Sequence, residues 1–261
     1  MKKIGYFCSI VLLCSCKPNK AVLSLSFDAQ TPTPQEKVLL NDPRIDLSPA
    51  SGTIPSNCIQ VNYVGDGSGS KRIVHSMDVK EPLMEATLRY RVKFDTGFKF
   101  VRGGKLHGMG PKNRVTGGHP IRPGGWSARI MFKDSGKVAP YLYHQKMKGK
   151  YGEGSTTEKP MFTPGIWHQV ALYTKVNRPA NKANGVFEVW INNTRISKTD
   201  SIQFRGVAGD STLINQLLFS TFHGGNDPSW APKDAFGSYT NEKAWFDDIE
   251  LYKGRFVTSK N

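Results

Sequence analysis

The run WSARIMFK (126–133) alternates with period two, so Ser127, Arg129, Met131 and Lys133 share one face of an extended segment. Trp126, Ala128, Ile130 and Phe132 share the other face and read as core. In PYLYHQK (140–146) the same spacing groups Tyr141, Tyr143 and Gln145. The intervening DSGK (134–137) is a hairpin turn signal, which makes the two segments antiparallel neighbours. Ser127, Arg129, Tyr141 and Tyr143 then form one patch, beside a Gly-rich cationic stretch that carries Lys105. A lone strand tyrosine is more often a solvated surface residue, but the set as a whole has a chemical use. Removing the weakly acidic C5 proton of a uronate needs a cation against the adjacent carboxylate, a base for the proton and an acid for the departing glycosidic oxygen. Arg129 and Lys105 suit the first task. Tyr141 and Tyr143 suit the other two, provided that neighbouring cations lower the phenol pKa from about 10.

The same residues carry a resemblance. Lys105-Leu106 followed by glycines, Ser127-Ala128-Arg129 and Tyr141-Leu142-Tyr143 resemble, in order and spacing, the lysine, Ser-x-Arg and Tyr-x-Tyr set of polysaccharide lyase family 14. That family includes alginate lyases and a lyase acting on glucuronate polymers. FHGG (222–225) and AWFDDIEL (244–251) resemble its C-terminal strands, so the likeness extends over most of the chain after residue 16. It implies a jelly-roll of the concanavalin A-like kind with a concave substrate cleft. It also implies that Lys105, Ser127, Arg129, Tyr141 and Tyr143 line the cleft and cut an alginate or glucuronan-like polymer by β-elimination, with no cofactor required. His107-Gly108-Met109 departs from relatives that tend to carry proline there, which bears on subsite shape more than on chemistry.

The elements that must position these residues are strands. VLSLSFD (22–28) reads as the first strand, with Leu23, Leu25 and Phe27 on one face, and KAWFDDIELYKG (243–254) as the last strand and its partner. Between them MEATLRYRVKFD (84–95), WHQVALYTKV (167–176), GVFEVWINN (185–193) and LINQLLFSTFH (213–223) alternate, punctuated by Gly, Pro, Asn and Asp. The pattern predicts an all-β antiparallel two-sheet sandwich as a single domain over 17–261. Two stretches, 101–125 and 146–160, read as long loops on this scaffold. The first reads as functional and the second, taken alone, as a flexible insertion. His119 in GGHP (117–120) joins Ser127 and Gln145 as an expected substrate contact, as a proton carrier near neutral pH. A loop histidine without a partner more often has a structural or exposed role, and the same holds for His223. Trp230 could stack on a sugar ring. Asp247 and Asp248 could join a structural calcium site, but a third ligand is missing from the pattern.

Residues 1–16 read as a lipoprotein signal peptide: Lys2 and Lys3, an apolar run from Ile4 to Leu13, then Leu13-Cys14-Ser15-Cys16. The run falls short of the roughly 20 residues that span a bilayer. Cys16 would carry lipid and anchor an exported protein at the cell envelope, at the outer membrane by Lys17. A plain secretory signal is the alternative. Cleavage before Cys16 removes Lys2 and Lys3 and lowers the formal charge from +15 to +13. Such an excess concentrates polyanions, and at an envelope the expected partner is acidic polysaccharide rather than nucleic acid. Only Cys16 and Cys58 then remain, so the domain has no internal disulfide or cysteine metal cluster, and Cys58 reads as buried. A monomer is expected.

Two other classes compete. A glycoside hydrolase needs two carboxylates across the scissile bond, and FEVWIN (187–192) offers Glu188 alone on its face. A lectin-like receptor for acidic polysaccharide would use Arg129 and Lys105 but has no need of two in-line tyrosines. Fold by itself does not choose between them.

Overall fold

Alternating apolar and polar residues assemble into two stacked antiparallel sheets. The computed structural model describes residues 20–50 and 56–258, so the signal segment and Cys16 lie outside the described residues. The strands are Leu23–Leu25 (β1), Ile45–Ala50 (β2), Ser56–Asp66 (β3), Gly69–Ser70 (β4), Ile73–Leu83 (β5), Glu85–Phe94 (β6), Gly103–Gly110 (β7) and Ser127–Lys133 (β8). Val138–Tyr143 (β9), Trp167–Lys175 (β10), Gly185–Ile191 (β11), Thr194–Ile202 (β12), Ile214–His223 (β13) and Asn241–Lys253 (β14) complete them. The larger sheet runs β12-β11-β10-β6-β14-β3-β2, with β1 on β14 and β4 on β3. The smaller runs β5-β13-β7-β8-β9, and neither closes on itself. First and last strands pair as expected, Leu23 opposite Leu251 and Leu25 opposite Ile249.

Outside the bulges, alternate residues of each sheet enter the core between them. Leu88, Val92, Leu172 and Phe246 from the larger sheet meet Leu106, Ile130, Phe132 and Phe219 from the smaller. Phe94, Phe98, Phe100 and Phe132 pack with ring centroids 4.7–5.8 Å apart in tilted or edge-on pairs, the geometry that ring quadrupoles favour. Truncating Phe132 to Ala would cost about 3–5 kcal/mol and would loosen the strand that carries Arg129.

The Gly-rich stretch 101–125 is only in part the loop its composition suggests. Gly103–Gly110 form β7, in the middle of the smaller sheet, and 111–126 form the connection from β7 to β8. A Cβ at Gly104 would lie 2.2 Å from the Phe132 ring and one at Gly108 2.1 Å from the Ala128 carbonyl oxygen, so the glycines let neighbouring strands approach. A bulge sets three steps from Lys105 to Gly108 against two from Met131 to Arg129. Leu106 and His107 therefore both turn inward. His107 stacks on Phe219 at 4.2 Å, its Nδ1 donates to the Ser220 carbonyl at 3.1 Å, and burial pushes its pKa down to about 3. His107 thus shapes the core, not a subsite.

A short helix, Pro34–Leu40 (α1), was not evident from periodicity. Thr33 and Glu36 form its capping box, and Glu36 also accepts the Phe27 N–H at 2.9 Å.

Candidate active site

Hairpin register does the first part of the assembly. Ser127 stands opposite Tyr143 and Arg129 opposite Tyr141, while β7 sets Lys105 opposite Met131. Lys105, Arg129 and Tyr141 consequently face one cleft of about 490 Å³ over the smaller sheet.

Arg129 is 5% exposed, its Nε has no hydrogen-bond partner, and it makes no salt bridge among the described residues. Its guanidinium lies 5.3 Å from the centroid of the Tyr141 ring. Burial pushes its pKa down to about 10, so it stays charged at neutral pH. An unpaired charge this deep is destabilising until an anion meets it.

The Lys105 Nζ lies 4.9 Å from the same ring centroid, with only a long 3.5 Å contact to the Gly224 carbonyl. Burial, reinforced by Arg129, Lys133 and Arg72, pushes its pKa down to about 7. Tyr141 moves the opposite way. Burial, then the hydrogen bond and charge of Tyr143, push it up, and Arg129 only partly opposes them. The expectation that cations would lower this phenol is reversed, because desolvation outweighs one neighbouring charge. Tyr143 is fully buried and off the cleft wall. Its hydroxyl accepts the Gly118 N–H at 2.9 Å and lies 3.4 Å from the Tyr141 hydroxyl.

The three expected substrate contacts lie elsewhere. Ser127 is fully buried and donates to the Val115 carbonyl at 2.9 Å, tying the β7–β8 connection to β8. Gln145 donates to the carbonyls of Arg122, Gly125 and Phe204 at 3.0–3.3 Å, so its amide is already engaged. His119 is exposed and off the cleft wall. His223 is buried, donates to the Lys99 carbonyl at 2.8 Å and is pushed down to about 4 by burial. Glu188 is held by Arg255 at 2.9 Å and Arg195 at 3.7 Å. Asp247 and Asp248 both pair with Arg91.

The family model for Polysaccharide lyase 14 matches residues 59–243. The chain belongs to polysaccharide lyase family 14. It is a polysaccharide lyase on the two-sheet sandwich that the alternation predicted, of the jelly-roll kind that the resemblance implied. A family member that cuts its polymer is not the non-catalytic receptor weighed above. Among solved structures, an alginate lyase variant with one lysine and one tyrosine changed to alanine, complexed with alginate tetrasaccharide, is 26% identical. That match covers 77% of this chain and 82% of the other, with a TM-score of 0.65. The marine alginate lyase from Aplysia kurodai is 20% identical over 90% of this chain and 100% of its own, with a TM-score of 0.67. An endo-β-1,4-glucuronan lyase from the fungus Trichoderma reesei shares the fold at 13% identity, covering 90% and 96%, with a TM-score of 0.55. A search of curated protein sequences gave no match.

Other residues complete the lyase cleft. Arg72, Arg114 and Lys133 join Lys105 and Arg129 on its wall, against the single carboxylate of Asp227, which accepts the Ser229 N–H at 2.9 Å. Trp230 lines it too, 5.0–5.5 Å from Arg102, Lys105 and Lys133. Lys133 was visible in the alternation beside Arg129, whereas Arg72 and Arg114 sit outside the strands, where no period marks a face. Residues of the segment 146–160 also line the cleft. Glu153 and Leu142 exchange backbone hydrogen bonds at 3.0 Å, which lays Tyr151, Gly152, Gly154 and Thr156 along the cleft.

Proposed function

We propose that the cleft binds a uronate polymer, alginate or a glucuronan-like chain, and cuts it by β-elimination. The observation that carries this reading is Arg129, a buried guanidinium without a carboxylate partner, in a cleft walled by five cations and one acid. A uronate carboxylate supplies the missing anion. Arg129 neutralises it and acidifies the C5 proton. Lys105, neutral above about pH 7, takes that proton. A C4–C5 double bond forms, the C4–O bond breaks, and Tyr141, which holds its proton tightly, delivers it to the departing oxygen. Tyr143 holds the Tyr141 hydroxyl from behind. The alginate lyase complexed with tetrasaccharide has one lysine and one tyrosine replaced by alanine, the residue types of this pair, which supports the assignment.

The test is to incubate the protein with a panel of uronate polymers and follow ultraviolet absorbance of unsaturated product. Product from at least one is expected. Tight binding without product from any would overturn the reading.

Export and lipid attachment at Cys16 are also proposed, on the strength of Leu13-Cys14-Ser15-Cys16. No helix among the described residues is long and apolar enough to cross a membrane. Cys16→Ala should move the protein out of the membrane fraction, and unchanged fractionation would contradict the anchor.

A further inference from the structure

Two loops that start at opposite ends of β7 meet above its face. The loop after β9 carries Tyr151, whose ring rests on Gly118, since a Cβ there would come within 2.8 Å of it. Gly118 lies in the connection leaving the C-terminal end of β7. The loop after β13 carries Asn226, and its Gly224 N–H donates to the Gly103 carbonyl at 3.1 Å, at the N-terminal end of β7. The eight residues of β7 span roughly 25 Å at about 3.3 Å each, and Lys105 lies between the ends. Yet Asn226 Nδ2 donates to the Tyr151 hydroxyl at 3.1 Å. That hydrogen bond therefore crosses the cleft above the strand face that carries Lys105.

Both sides of the crossing are braced. Arg72 donates to Asn226 Oδ1 at 3.2 Å. On the other side Glu153 accepts the N–H groups of Lys148 and Gly149 at 2.6 and 3.0 Å and pairs with His144 at 3.2 Å, closing the loop that presents Tyr151. The crossing itself is a single hydrogen bond between two exposed side chains, which is weak enough to break and re-form. The interior of a long polymer has no way into the cleft without parting it.

We propose that Tyr151 and Asn226 form a clasp that opens to admit the polymer and recloses over it, holding the chain between successive cleavages. This role rests on the uronate-polymer reading of the cleft. It makes Tyr151 and Asn226 retention residues that do not touch the reacting atoms. Their loss should speed polymer release, because reclosure is what slows it.

The test is the dissociation rate of end-labelled alginate, measured by fluorescence in a Tyr141→Phe background so that turnover does not consume the probe. Tyr151→Phe removes one hydroxyl and Asn226→Ala removes its partner, and each should speed release roughly five-fold, the scale of one net hydrogen bond. The double variant should be no faster than either single one, since both remove the same bond. Unchanged release in both single variants would overturn the clasp. A multiplicative effect in the double variant would also overturn it, by showing two independent polymer contacts. Absence of binding by the parent protein to any uronate polymer would overturn the function reading along with the clasp, whereas binding with unaltered release rates sinks the clasp alone. Thermal unfolding of each variant checks that the loops are otherwise intact.

Discussion

Cations meet aromatic rings on both outer surfaces of the sandwich, and the two surfaces treat them differently. On the larger sheet Arg91 lies 4.8 Å from the Trp167 ring centroid and pairs with Asp247 at 3.3 Å and Asp248 at 3.5 Å. Arg255 lies 5.4 Å from Trp190 and pairs with Glu188 at 2.9 Å. On the cleft side Lys105 and Arg129 lie 4.9 and 5.3 Å from the Tyr141 ring centroid, and no salt bridge reaches either among the described residues. The paired cations are satisfied within the fold. Burial, reinforced by the unpaired Arg129, lowers the Lys105 pKa, and under the proposed function the two unpaired cations leave a place for a polymer carboxylate. A functional surface of this kind differs from a structural one in what its charges lack.

Breaking one charge on each surface should separate the two most widely. Lys105→Ala should lower the initial rate of unsaturated-product formation by roughly 10²–10⁴-fold, the usual worth of a general base. Arg91→Ala should leave that rate within about two-fold while lowering stability by about 1–3 kcal/mol, because Asp247, 2% exposed, would lose its partner. Equal losses of activity would erase the distinction. Arg129→Ala comes next, with kcat/KM reduced roughly 10²–10³-fold, the cost of removing one electrostatic stabiliser.

Stability sharpens the comparison from the other side. The folded-state pKa of Lys105 is depressed from 10.5 to about 7, so the fold disfavours the charged amine. That penalty is present in full below about pH 7 and fades as pH rises towards 10.5. Lys105→Met should therefore stabilise the protein by about 1 kcal/mol near neutrality, or about 3 °C in Tm, with the gain vanishing in alkaline buffer. A lower Tm at pH 7 would contradict an unpaired, desolvated lysine. Salt gives the smallest effect. Shortening the Debye length from about 10 Å at 0.1 M towards 3 Å at 1 M should reduce kcat/KM several-fold. Arg129→Ala should flatten that dependence, and Arg91→Ala should not.

The parts legible in the sequence were those written in strict alternation. Trp126 to Lys133 and Tyr141 to Tyr143 declared both their strands and their faces, and the turn between them set the register. Alternation stops at side-chain direction, however. It put Ser127 and Arg129 on one face without showing that the β7–β8 connection covers Ser127. Gln145 followed the same period on paper, but β9 ends at Tyr143. Strands β2, β5 and β12 escaped notice because they lie at sheet edges, where polar residues such as those of TRISKTDSI (194–202) face water on both sides. Strand β7 escaped because its glycines, which read as a loop, answer to close neighbours that only the folded sheet supplies. Arg72, Arg114 and the Tyr151–Asn226 crossing come together through topology, which no local pattern records.

In the proposed mechanism a protonated Tyr141, beside a neutral Lys105 and an unpaired Arg129, completes the elimination. Tyr141→Phe removes one hydroxyl and keeps the ring against which Lys105 and Arg129 lie. Its unsaturated-product absorbance should rise roughly 10²–10⁴-fold more slowly than that of the parent, while its Kd for the same polymer stays within about three-fold, since no carboxylate contact is removed. A near-normal rate of product formation by Tyr141→Phe would contradict the account.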